Sequence, residues 1–186
     1  GSGGTTNITL NFGAAVSAPS GTAILNDAGN STTTVNAGAS VAGAISLGDG
    51  ADNLIFNNGD FSGVTSFDGG AGTDSVTFRN ATATVAGGDV VNMENVTVGS
   101  GGNISVSGAL DANVTVNFNG TFGGAPTITG NVTVDAGGTL SPGNSPGLLS
   151  IVGNLDLGIT SNTLIEIGGL VAGTEYDQID VADNPV

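Results

Sequence analysis

The tetrapeptide Asn-Val-Thr-Val occurs three times in this chain, at 95–98, 113–116 and 131–134, in two equal steps of 18 residues. Within each copy polar and apolar residues alternate, the two-residue period of a strand with one buried face. Val96, Val114 and Val132 then share a side with Val98, Val116 and Val134, while Asn95, Thr97 and their counterparts share the other. Strands this short cannot bury an apolar side alone, but strands returning at a fixed interval bury it by stacking coil upon coil. The spacing therefore predicts an all-β chain, a β-solenoid with a thin apolar interior and an outward column of Asn and Thr.

A second repeat precedes the first. Gly-Asp-Gly-Ala-Asp-Asn-Leu-Ile-Phe at 48–56 aligns with Gly-Ala-Gly-Thr-Asp-Ser-Val-Thr-Phe at 70–78, a step of 22. Gly50 matches Gly72, Asp52 matches Asp74, Leu54 matches Val76 and Phe56 matches Phe78. Each copy reads as a glycine turn feeding a strand, and Phe56 is expected to stack on Phe78 inside. Residues 5–47 carry a weaker pattern: Ile8, Leu10 and Phe12 alternate with polar residues, and apolar runs at 23–25, 33–35 and 41–47 are separated by turn-forming clusters. After the third tetrapeptide, Leu149-Ser-Ile151 continues the series one residue early. Leu155, Leu157, Ile165, Ile167, Ile179 and Val181 are expected to point inward, and Tyr176 to pack over the end of a turn. Pro142-Gly143 and Pro146-Gly147 each suit a tight turn, and together they predict a stiff corner. No stretch carries a helical period. The expected organisation is a linker at 1–4 and one continuous solenoid over 5–186, with coils of about 18–22 residues and both ends cut from a longer chain.

Composition narrows the function classes. There are 34 Gly, 9% charged and 4% aromatic residues, and no Trp, a poor inventory for an ordinary globule. Yet 38% of residues are hydrophobic and regularly spaced, which argues against disorder. One basic residue, Arg79, stands against 16 Asp and Glu, a net charge of −15. Nucleic acid is excluded as a partner, since binding phosphates requires several cations, and anionic headgroups would be repelled. No apolar run is long enough to span a bilayer, so membrane insertion of this segment is not expected. The chain has no Cys, hence no disulfide and no thiolate chemistry.

The Pro-Gly corner carries a resemblance. Gly-Thr-Leu-Ser-Pro-Gly-Asn-Ser-Pro-Gly at 138–147, the strand region 149–157 and Gly-Thr-Glu-Tyr-Asp-Gln-Ile-Asp-Val at 173–181 closely resemble the passenger-associated transport repeat of autotransporter proteins. Phe-Asp-Gly-Gly-Ala-Gly-Thr-Asp-Ser-Val at 67–76 and Val-Asn-Met-Glu-Asn-Val-Thr-Val at 91–98 also look like passenger sequence. The likeness covers residues 47–181 and is most specific over 138–181. It implies a right-handed parallel β-helix, displayed on or secreted from a Gram-negative cell. It also implies a C-terminal outer-membrane β-barrel in the full-length chain, and host-cell or surface molecules as partners of other passenger regions. The last residues, 182–186, depart from the repeat's usual continuation. The implied role of 138–181 is to help folding drive export, and that of the whole segment is an adhesive or structural stalk.

Three candidate chemistries stand beside that reading. Gly-Gly-Ala-Gly-Thr-Asp-Ser-Val-Thr at 69–77 resembles the nonapeptide of repeat-in-toxin calcium rolls, where Asp side chains and turn carbonyls share an ion between coils. That likeness implies Asp49, Asp52, Asp68 and Asp74 as calcium ligands, oxygen donors of the kind calcium takes. The competing reading is that each Asp bonds its own turn. A glycan-active or glycan-binding β-helix is the second. A lyase would require a base and cations, and the chain has no His, no Lys and one Arg, placed outward after Phe78. An inverting glycosidase needs only paired carboxylates, a role into which Asp68 with Asp74 can be forced, but nothing selects them over the turn reading. No catalytic residue is assigned, no cofactor other than calcium is considered, and the chain is not expected to be an enzyme. The third is the outward column Thr97, Thr115 and Thr133, flanked by Asn95, Asn113 and Asn131, which suits ordering water or binding ice. Against it stands the plain strand preference of Thr.

Overall fold

A computed structural model describes residues 4–143 and 146–182. The linker expected at 1–4, the middle of the 138–147 corner and the departure at 182–186 thus lie wholly or partly outside the described residues. The fold is a β-solenoid of about seven coils. Every pairing between its strands is parallel, and no α-helix occurs among the described residues.

One face is an eight-stranded sheet whose strands follow in chain order, from Thr6–Leu10 through Ser31–Asn36, Asn53–Asn57, Ser75–Arg79, Asn95–Val98, Asn113–Val116 and Val132–Val134 to Leu155–Leu157. Both repeats supply its register. Val96 lies over Val114 and Val114 over Val132, at the step of 18. Leu54 lies over Val76 and Phe56 over Phe78, at the step of 22. Two inward columns result, Ile8-Thr33-Leu54-Val76-Val96-Val114-Val132-Leu155 and Leu10-Val35-Phe56-Phe78-Val98-Val116-Val134-Leu157. The stacking of Phe56 on Phe78 is as expected, with centroids 5.7 Å apart and planes 9° from parallel. On this face the longest coil exceeds expectation, running 25 residues from Thr9 to Thr34. The cause lies in the strand Ala15–Leu25, whose register shifts between Ser17 and Thr22 around Pro19. Proline cannot donate to a ladder, so the extra residues bulge out.

A turn repeats at one corner of most coils. The N–H of Ala14, Ala39, Gly102, Gly120, Gly138 and Ser161 each donates to the carbonyl three residues back. The third residue of each turn has positive φ, and it is Gly13, Gly38, Gly101, Asn119, Gly137 and Thr160 in turn. This is the type II pattern, which favours Gly or Asn there.

The second face is built from two sheets. Early coils contribute Ala15–Leu25, Ser40–Ser46, Asp60–Asp68 and Val90–Val91; later ones contribute Thr82–Ala86, Asn103–Leu110, Thr121–Ile128, Thr139–Pro142 and Asn162–Thr163. A single coil supplies both sheets. Its Thr82–Ala86 ladders only forward and its Val90–Val91 only backward, with the 3-10 turn Gly87–Asp89 stepping between them.

Several sequence expectations are corrected. Leu148–Ile151 does not continue the valine column but joins the second face, where Ile151 lies over Ile128. The column continues instead at Leu155, over Val132. Phe12 lies past the first strand on the corner, 89% exposed, with its ring over Gly38. Leu157, Ile165, Ile167 and Val181 are 40–80% exposed, because no described strand stacks over the last coil, whereas Leu155 and Ile179 pack partly against the core. Of the two Pro-Gly pairs, only Gly143 takes a positive φ. Gly147 closes against it, its N–H bonded to Asp177 Oδ1 at 2.8 Å. Asp177 Oδ2 accepts from the Glu166 N–H at 2.8 Å, so this buried carboxylate pins the corner to the terminal loop in which Tyr176 is half-buried.

Candidate functional site

The four aspartates proposed as ligands fall into two environments. In four consecutive coils the residues at the entry to the first face are Ser31, which opens its strand, and Asp52, Asp74 and Glu94, each just before its strand. Asp52 Oδ1 accepts the Ser31 N–H at 2.5 Å, Asp74 Oδ1 accepts the Asp52 N–H at 2.8 Å, and Glu94 Oε2 accepts the Asp74 N–H at 2.6 Å. Each carboxylate thus caps the preceding coil, rather than bonding its own turn as the competing reading had it. Asp68 does bond its own turn, accepting from the Gly70 N–H at 3.1 Å, and it also accepts from Asn92 Nδ2 at 2.9 Å. Asp49 is exposed, and its backbone pairs with Ala71.

Asp52 and Asp74 are 1% and 0% exposed, and the second carboxylate oxygen of each is buried without a hydrogen-bond partner, as is the Ser31 hydroxyl. Burial pushes the Asp74 carboxyl above its ordinary range. The Asp52 N–H opposes that shift, while the negative charges of Asp52, Glu94 and Asp68 add to it. Asp74 Oδ2 lies close against Gly69, at a point where any side chain on that residue would collide with it. Among the described residues, no group of three or more acidic side chains is gathered at one point. The hydrogen bonds that the column does make are to backbone amides of its own chain. Asp74 is also sealed from any dissolved glycan, so it shares no open site with Asp68.

Glu94 escaped the sequence reading, yet its place was signalled. It precedes Asn95 as Asp74 precedes Ser75, and the two strands are in register. Thr33 was also missed as an inward residue; it is fully buried with an unpartnered hydroxyl.

The outward column is longer than the three tetrapeptides suggested. Thr9, Thr34, Ile55, Thr77, Thr97, Thr115, Thr133 and Asp156 lie in register across the first face. Thr97, Thr115 and Thr133 are each half-buried. Beside them runs an amide ladder: Asn113 Oδ1 accepts the Asn131 N–H at 3.0 Å, and Asn131 Oδ1 the Asn154 N–H at 2.8 Å. At the strand ends, Asn36 bonds Asn11 and Asn57 bonds Asn36 through their side chains, at 3.0 and 3.2 Å. Arg79 is exposed, as its place after inward Phe78 predicts. No family model, curated protein or solved structure matches the chain.

Proposed function

We propose that this chain is a stalk segment of a surface-displayed or secreted autotransporter passenger, whose coils stack outside the cell and so bias export outward. The observation that carries the reading is the unbroken parallel ladder of the first face, with valine columns buried at 0–2% exposure from Val76 to Val134. Each added coil buries apolar surface that a retreating chain would have to expose again, so stacking opposes back-sliding without a nucleotide. The resemblance at 138–181 supports this role for the last coils, in which Leu140 and Leu149 are wholly buried. The test joins the chain to an outer-membrane barrel and measures protease-accessible protein at the surface. Leu140→Asp, which places an unpaired charge in the core, is expected to reduce display several-fold, and outward Thr115→Ser to leave it unchanged. Equal display of both variants contradicts the proposal.

The threonine column favours a second reading, a face that orders water or binds ice. Ile55 interrupts the column and Asp156 ends it. Thermal hysteresis that is lost on Thr97→Lys and Thr115→Lys would favour this reading over the stalk alone.

A further inference from the structure

Where the second face changes sheets, two neighbouring strands part. On its far edge the strand Asp60–Asp68 pairs only through Phe67 and Asp68, with Val90 and Val91, which leaves 60–66 without a strand beside it. The next coil brings Thr82–Ala86 alongside, but that strand ladders only with Asn103–Leu110. Asn103 donates its N–H to the carbonyl of Ala81. Backbone groups alternate sides along a parallel strand, so those of Thr82 and Thr84 turn away from Asn103–Leu110, toward the gap. Between the two strands lie clefts of about 430 and 320 Å³, the first lined by 58–62 and 80–83, the second continuing it along 61–67 and 82–89.

The parting has a cause in the core. Phe61 sits between the two coils, its ring 4.7 Å from that of Phe56 and 5.1 Å from that of Phe78, and Phe67 meets both edge-on. Four aromatic rings packed across two adjacent coils hold the second-face strands apart while the first face stays laddered. The result is a slot with two unpaired strand edges as walls and Phe61, Phe67 and Val85, 3–8% exposed, as floor.

We propose that this slot takes an extended, cationic polypeptide segment as an added strand. Free backbone donors and acceptors along an edge are what an incoming strand pairs with, and floor pockets then read alternate side chains. The sign of the partner's charge follows from the lining. Asp60 stands at one end, its carboxylate held below the usual range by the Ser62 N–H and then by the Ser62 hydroxyl, and Asp89 stands at the other. No Lys or Arg lines either cleft. The five residues of Thr82–Ala86 match an extended segment of about 16 Å.

The test titrates the whole chain into a fluorescent peptide, Lys-Val-Thr-Val-Thr-Val-Lys, and follows anisotropy. Saturable binding is expected, weakened at least tenfold when Glu replaces both Lys residues of the peptide. Thr84→Pro removes one edge N–H while leaving the ladder to Asn103–Leu110 in place, and it should weaken binding tenfold with an unchanged melting temperature. If that variant does not fold, Asp60→Asn with Asp89→Asn provides the second measurement, with a several-fold loss expected. No saturable binding, equal binding of the acidic peptide, or binding indifferent to the folded variant tested overturns the proposal. Indifference would place the peptide on the open edges at Thr6–Leu10 or Leu155–Leu157. Displacement by a neutral oligosaccharide would overturn it equally. Failure here leaves the export reading untouched.

Discussion

Asp74 combines two demands on one side chain. It must accept the Asp52 N–H, and it must do so while sealed from water near three other acids. Its carboxyl pKa is raised in the folded chain, so the folded state binds the proton more tightly than the unfolded one. Stability therefore falls as pH rises from about the ordinary value of 3.8 through the raised value, and the loss is complete above it. Asp60 acts in the opposite sense: its lowered pKa contributes stability that is lost as pH falls below the ordinary range. Asp74→Asn keeps the acceptor and removes the charge, and it should raise stability by about 1 kcal/mol at pH 7 and flatten the pH slope. Asp74→Ala strands the Asp52 N–H and should cost about 1–3 kcal/mol. Chemical denaturation of the three proteins across pH 4–8 checks both. Thr33→Val tests another of the buried unpartnered groups. It removes an unpartnered hydroxyl from the inward column, and a gain of about 1 kcal/mol in the same assay is expected. Thr160 is a β-branched residue at φ 66°, in a turn position filled elsewhere by Gly or Asn. Left-handed backbone costs an ordinary residue about 1–2 kcal/mol, so Thr160→Asn should raise the melting temperature, and no rise would contradict the strain.

At the scale of elements, the three tetrapeptides showed their register openly, because identical strands at equal steps leave only one way to pair buried Val with buried Val. The glycine-turn repeat did the same for Leu54 over Val76 and Phe56 over Phe78. What stayed hidden was membership of the second face. Leu149-Ser-Ile151 has the same alternation as a first-face strand, and alternation tells which residues share a side, not which sheet they join. Ile165 and Ile167 show the converse limit, since an apolar residue is buried only where another coil covers it. Asp52 and Asp74 were recognised as a pair from their spacing, but their inward, amide-capping role depends on the preceding coil's backbone, which no local motif records. The parting of the second face was likewise unread, for it arises when three phenylalanines of one coil meet a fourth from the next.

For the whole molecule, one property underlies both the stalk and the export proposal: each coil is held chiefly by its two neighbours. A lone coil has no closed core, so stability resides in the array and is interrupted by damage at any level. Outward side chains one coil apart must then lie about 5 Å from each other, and those two coils apart about 10 Å. The chain has no Cys, so introduced cysteines take spin labels uniquely. Thr97→Cys with Thr133→Cys, both on the outward column, places labels two coils apart. The measurement is the dipolar broadening between those labels. The stacked ladder predicts a short separation, about 10 Å at the backbone plus the reach of the labels, and a closer one for the Thr97 and Thr115 pair. A broad distribution centred beyond about 25 Å for either pair contradicts it, because strands out of register or unstacked cannot bring those threonines together.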